Sequence, residues 1–208
     1  MKKLMIALTI VAIASVAQAE LLATWSTTNN SGTVTAGENA GVVVSGLSLY
    51  GDATATGTAS VWGMNALTTG GGLQFTISSI TDGYNIQNAV VSGTGSGSQT
   101  GPREMDWYVG ASLISGESIV RTSTAATAFS STLGTLNSGD VVSLRADTAA
   151  GTVRSGTTET FNNAAGSFYI TAAGMRLNGD VTAIPEPATM GLLGLGALAM
   201  VLRRKMKK

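Results

Sequence analysis

Met105-Asp106-Trp107-Tyr108-Val109-Gly110-Ala111-Ser112-Leu113 alternates side chains along its length. Met105, Trp107, Val109, Ala111 and Leu113 fall on one face; Asp106, Tyr108 and Ser112 fall on the other. A period of two marks a strand with one buried and one wet face, and sheets wetted on one face are antiparallel. Leu73-Gln74-Phe75-Thr76-Ile77-Ser78 repeats the pattern, with Leu73, Phe75 and Ile77 toward the core. Upstream, Leu21–Thr27, Gly41–Tyr50 and Ala59–Met64 carry the β-branched and aromatic residues that strands favour. Downstream, Ser118–Thr122, Val141–Ala146, Thr157–Phe161, Ser167–Ala172 and Met175–Val181 read the same way. Asp82-Gly83 marks a turn before a strand over Tyr84–Ser92. The tract Gly93-Thr94-Gly95-Ser96-Gly97-Ser98-Gln99-Thr100-Gly101-Pro102 reads as an exposed, flexible loop. Thr127–Leu136 fits a short helix or a loop. About ten short strands, with no long amphipathic helix, predict an all-β fold: an antiparallel, jelly-roll-like β-sandwich.

Two terminal segments stand apart from this domain. Lys2 and Lys3 precede the apolar run Leu4–Val16, and Ala17-Gln18-Ala19 supplies a small-x-small cleavage site. Those are the three parts of a secretory signal peptide, cut after Ala19. At the other end, Ile184-Pro185-Glu186-Pro187 leads into an uncharged segment, Ala188–Leu202, and a basic tail of Arg203, Arg204, Lys205, Lys207 and Lys208. As a helix the segment spans roughly 22 Å, short of the roughly 30 Å hydrocarbon core. Pro185 and Pro187 resist extension of the helix, and Glu186 is costly in lipid. Snorkelling arginines and local thinning close the gap, so a short transmembrane helix is expected. The basic tail then stays in the cytoplasm and the rest lies outside. The chain therefore divides into a signal peptide (1–19), an exported domain (20–183) and a C-terminal segment (184–208).

The charge of the exported domain differs from that of the whole chain. The sequence has twelve basic and twelve acidic residues. Between Glu20 and Ala183, however, five arginines face eleven carboxylates, a net charge of −6, and there is no lysine. A nucleic-acid partner is thereby disfavoured, because a basic footprint is missing. The chain contains no cysteine and no histidine. Disulfides, histidine-based nucleophile arrangements and ordinary zinc sites are excluded.

The Pro185-Glu186-Pro187 tripeptide, the Gly/Leu/Ala segment and the Arg203-Arg204-Lys205 tail together resemble a PEP-CTERM sorting signal. The resemblance implies a bacterial export recognised and processed by an exosortase-type membrane transpeptidase, in parallel with LPXTG signals. The N-terminal signal peptide implies signal peptidase and Sec export as partners, and the C-terminal apolar segment implies the inner membrane. The middle of the chain is more loosely similar to β-rich passengers of such signals, through Leu73–Ile77, Gly83-Tyr84, Ser98–Pro102 and Leu177-Asn178-Gly179. Gly116-Glu117 stands where those passengers often carry Asp-Gly-Phe, so no functional residue is carried over.

Within the domain, only carboxylate chemistry is left to an enzyme. Glu104 and Asp106, two apart on a strand, share a face at about 7 Å. Solvated surface charge is the ordinary reading of such a pair, so no catalytic residue, cofactor or metal site is assigned. Tyr108, beside Asp106 on the polar face, is the one aromatic placed to contact a sugar; Trp107 belongs to the core, and Trp25 and Trp62 fit either role. Asp82, Asp140 and Asp180 each adjoin a glycine, which suits turns as well as calcium, without EF-hand spacing. The expectation is a non-enzymatic protein of the cell envelope or a biofilm matrix, structural or adhesive. A carbohydrate-binding module associated with exopolysaccharide is the alternative. The resemblance supplies the exopolysaccharide link; composition supplies only an uncharged Gly/Ser/Thr/Ala-rich surface.

Overall fold

Every regular element among the described residues is a β-strand. The computed structural model describes residues 19–26, 33–37, 39–51, 53–56, 62–65, 70–147, 152–154, 157–159 and 166–184. The predicted signal peptide up to Gln18 and the segment from Pro185 onward lie outside them. Among the described residues no helix is long and apolar enough to cross a membrane; the Ala188–Leu202 span predicted above is not among those residues.

Among the described residues there are fifteen strands where about ten were expected. Thr33–Ala36, Thr54–Thr56 and Thr152–Arg154 are short additions, Gly41–Tyr50 is divided in two, and the ten-residue Thr127–Leu136 is the one long addition. The order is β1 (Glu20–Ser26), β2 (Thr33–Ala36), β3 (Val42–Val44), β4 (Ser48–Tyr50), β5 (Thr54–Thr56), β6 (Trp62–Asn65), β7 (Gly72–Ile80) and β8 (Tyr84–Gly97). Then come β9 (Glu104–Val109), β10 (Ser112–Val120), β11 (Thr127–Leu136), β12 (Val141–Ala146), β13 (Thr152–Arg154), β14 (Thr157–Glu159) and β15 (Ser167–Ala183). One sheet runs β11-β8-β15-β1-β2, with β6 and β5 attached; the other runs β10-β9-β12-β7-β3, with β4 on β7. All pairings between these strands are antiparallel. β13 and β14 pair separately. In chain order the principal strands β1, β7, β8, β9, β10, β11, β12 and β15 pass from sheet to sheet at every step except the β9–β10 hairpin.

The two sheets share one hydrophobic core. Leu73, Phe75 and Ile77 of β7, Met105 and Trp107 of β9, and Val142 and Leu144 of β12 are fully buried, as alternation predicts. Across from them lie Leu22 and Trp25 of β1, Ile86 and Val91 of β8, and Leu177 of β15. Two aromatic pairs join the layers: Trp25 with Phe75 at 4.6 Å and Trp107 with Phe129 at 6.3 Å. Rings of this size dominate core energetics, and tilted pairs add about 0.5–1.5 kcal/mol beyond their burial. The Trp25 indole N–H is satisfied by the Ser45 carbonyl at 2.9 Å.

Four expectations need correction. Gly93–Pro102 is not a loop throughout, because β8 continues to Gly97 between β11 and β15. A Cβ on Gly93 would stand 2.8 Å from the Phe129 ring, and one on Gly95 would stand 2.8 Å from that of Phe168. The glycines are there so that rings can lie on bare backbone, which composition alone makes look like a linker. Thr127–Leu136 is neither helix nor loop but β11, pointing Phe129, Ser131 and Leu133 inward; the buried Ser131 breaks the apolar alternation. Ala111 and Leu113 do not join the core. Gly110 at φ 60° turns the chain into β10, leaving Ala111 exposed and Leu113 53% exposed opposite Tyr108. Finally, Ser167–Ala172 and Met175–Val181 form the single strand β15, which absorbs an irregularity around Gly174 at φ 76°.

Smaller differences concern boundaries. Gly41–Tyr50 divides into β3 and β4 at Ser45, whose N–H and hydroxyl both bond to the Thr76 backbone. The Ala59–Met64 prediction corresponds to β6 and the Thr157–Phe161 prediction to β14; residues 57–61 and 160–165 are outside the described set.

Candidate functional site

The outer face of the second sheet gathers polar side chains and two tyrosines, opposite the apolar core face. Register fixes two neighbouring rows across it. Ser48, Gln74, Ser143, Tyr108 and Leu113 face one another from β4, β7, β12, β9 and β10. Tyr50, Gly72, Arg145, Asp106 and Ser118 form the next row. Because Gly72 has no side chain, Tyr50 reaches across β7 to β12. The Arg145 guanidinium carbon lies 4.2 Å from the Tyr50 ring centroid and 4.0 Å from that of Tyr108. A guanidinium at this range over a ring face is held by the ring quadrupole as well as by contact.

Two hydrogen bonds fix Arg145 further. Its Nε donates to Ser143 Oγ at 2.8 Å, and its Nη2 donates to the Gly110 carbonyl at 2.7 Å. The Ser143 side chain is fully buried beneath it. Asp106, the acidic neighbour on β9, accepts from Ser118 Oγ at 2.7 Å, on the strand away from Arg145. Tyr50, Tyr108 and Arg145 are all half-buried, so solvent reaches the cluster.

Tyr108 therefore sits on the polar outer face, as its alternation predicts. It is not a bare stacking platform, because Arg145 covers one face of its ring. Sequence reading missed Tyr50 and Arg145, which are brought to Tyr108 only by register across four strands. Trp107 and Trp25 are fully buried. Glu104 and Asp106 share the outer face of β9, where their cross-strand neighbours are Val120 and Ser118.

The three aspartates beside glycine serve local structure. Asp140 accepts from the Asn137 N–H at 2.7 Å in the turn before β12. Asp180 is buried on β15 and accepts from Asn88 Nδ2 at 2.7 Å. Asp82 is exposed in the turn before β8. Among the described residues no three or more acidic side chains gather to hold a metal.

Arg121 is the one fully buried cation among them. Its guanidinium donates to the carbonyls of Pro102 at 3.0 Å and Ser98 at 3.3 Å, closing the loop after β8. Loss of hydration lowers its pKa to about 10, so it is still charged at neutral pH. Between β10 and β11 lies an open depression of about 310 Å³, with Glu117, Ser118, Phe129 and Ser130 in its walls. Glu117 crosses it to accept from the Thr132 N–H at 2.7 Å, satisfying an edge group of β11.

The two ends of the domain emerge together. Ala19, of the predicted cleavage site, is exposed; its companion Ala17 lies outside the described residues. Glu20 opens β1, where it pairs with Gly179 of the adjacent antiparallel β15 and accepts from Asn39 Nδ2 at 2.9 Å. Ala183 ends β15 about 13 Å further on, at roughly 3.3 Å per residue. The N–H of the next residue, Ile184, bonds to the Gly83 carbonyl at 2.6 Å. Pro185, Glu186, Pro187 and the tail residues Arg203, Arg204, Lys205, Lys207 and Lys208 lie outside the described residues.

Residues 183–205 match the family model described as the PEP-CTERM protein-sorting motif. The match takes in Pro185, Glu186, Pro187, Arg203, Arg204 and Lys205. No curated protein and no solved structure matches the chain.

Proposed function

We propose that this chain, which carries a PEP-CTERM sorting motif over residues 183–205, is an exported, structural or adhesive protein of the bacterial cell envelope or extracellular matrix. The motif implies an exported protein, a C-terminal membrane-anchoring signal and an exosortase-type processing partner. That match is the observation carrying the reading. In this account the precursor leaves through the Sec route, loses residues 1–19 to signal peptidase, and is held at the inner membrane with its basic tail in the cytoplasm. The domain then waits in the periplasm until the exosortase acts, and goes on to the surface or matrix.

The exit of Glu20 and Ala183 from one end of neighbouring strands supports this order. A domain tethered first by its N-terminus and later by its C-terminus presents the same end to the membrane in both states. The alternation of principal strands between two sheets supports a jelly-roll-like β-sandwich, an architecture that serves binding and assembly as readily as catalysis. We read the domain as non-enzymatic: Asp106 is engaged by Ser118, and Glu104 faces Val120 across the strand pair. Deleting residues 185–208 while keeping the signal peptide tests the sorting account. The domain is expected to leave the envelope fraction and accumulate in the medium or periplasm; unchanged retention at the envelope would contradict it.

A second reading, a glycan-binding module associated with exopolysaccharide, is favoured by one observation. Tyr50, Arg145 and Tyr108 form a pre-arranged cluster on the outer face of a sheet, where a polymer can lie across the strands. Structural and binding roles are compatible in a matrix protein.

A further inference from the structure

We infer that the Tyr50–Arg145–Tyr108 cluster takes a carboxylated glycan, a chain containing uronic acid, in preference to a neutral one; this rests on the glycan-binding reading. A neutral sugar is gripped mainly by its apolar face lying on a bare aromatic ring. Here Arg145 already covers one face of both rings, at 4.0 and 4.2 Å. The chemistry the cluster offers is therefore that of the guanidinium, flanked by two phenol rings.

Of the five guanidinium N–H groups, one on Nε is directed to Ser143 and one on Nη2 to Gly110. Three remain for an acceptor from outside. A planar fork of donors matches a carboxylate, which accepts two parallel hydrogen bonds. Because the tyrosines and the two internal bonds hold the fork in place, little side-chain freedom is lost when a ligand arrives.

The setting also bears on which anion is accepted. The exported domain carries a net charge of −6, so its overall field does not draw in an acidic polymer. Attraction must come from short-range contact at Arg145. Asp106, the nearest carboxylate in register, is bonded to Ser118 on the far side, which leaves the Arg145 side of the row to the ligand. A chain with one carboxylate per sugar can place a single group there and keep its neighbours clear of Asp106 and Glu104. A densely sulfated chain meets more repulsion.

The test uses the mature protein purified from its host and isothermal titration with tetragalacturonate. The comparison ligand is the same oligosaccharide after its carboxyl groups are reduced to alcohols. The uronate is expected to bind at least tenfold more tightly than the reduced form. Arg145→Gln should abolish the difference, and Arg145→Lys should lose most of it, since a point charge replaces the fork. Circular dichroism checks that each variant keeps its sheet structure; if Arg145→Gln does not fold, Arg145→Lys decides. Equal affinity for the two ligands overturns the inference while leaving glycan binding intact. Failure to bind either overturns both readings. Uronate binding undiminished in a folded Arg145 variant places the site elsewhere and overturns the inference.

Discussion

Gly95 shows why this chain is rich in a residue that usually weakens strands. Its β8 backbone lies under the Phe168 ring, where a Cβ would come within 2.8 Å of Cζ. Gly93 stands in the same relation to Phe129, and Arg121 packs over Gly97. Gly95→Ala is therefore expected to lower stability by about 1–3 kcal/mol, the ordinary cost of forcing a methyl into a filled core. Urea denaturation of the mature domain would measure it, and a change within about 0.5 kcal/mol would show that Phe168 moves freely. Single residues were legible in the sequence where burial follows alternation: Leu73, Phe75, Ile77 and Trp107 are buried, while Tyr108 faces out. Illegible were residues whose role depends on a partner distant in the chain. Nothing near Arg145 in sequence announces Tyr50, because only the β4–β7–β12 register brings them together.

At the scale of elements, the central strand β8 decides between two accounts of the Gly/Ser-rich tract. A linker has solvated amides, whereas a strand between β11 and β15 has its amides in ladders on both sides. Hydrogen exchange should show protection of the amides bonded across these ladders within residues 93–97, against fast exchange at the exposed Asp82-Gly83 turn. Exchange throughout 93–97 as fast as in that turn would contradict the strand assignment. β7 was legible because Leu73, Phe75 and Ile77 alternate with polar residues ahead of the Asp82-Gly83 turn, and β12 because Val142 and Leu144 alternate with Ser143 and Arg145. β11 was not, since its inward positions include Ser131 and its outward ones are small and uncharged, leaving no strong period of either kind. β15 hid for a different reason: Ala172, Ala173 and Gly174 look like a break in sequence, yet the neighbouring strands carry the chain through an irregularity there.

For the whole molecule, what the sequence makes plainest is the address rather than the activity. The tripartite C-terminal segment needs no tertiary structure to be recognised, because order and composition define it, and residues 183–205 match the sorting-motif family accordingly. The antiparallel all-β class was equally open to reading. The placement of the chain ends was not, since it needs the β1–β15 pairing of Glu20 with Gly179. That pairing puts Glu20, next to the predicted cleavage site, and Ala183, where the sorting-motif match begins, at one end of the domain, with the cluster around Arg145 on the outer face of the other sheet.

The most direct measurement is the intact mass of the mature protein from its host, with and without the exosortase. The account predicts a chain starting at Glu20 in both strains, and ending near Pro185–Pro187 only when the exosortase is present. Any added mass at that end would identify what the domain is joined to. A chain retaining Lys208 in both strains would contradict the account and make the C-terminal segment a permanent anchor.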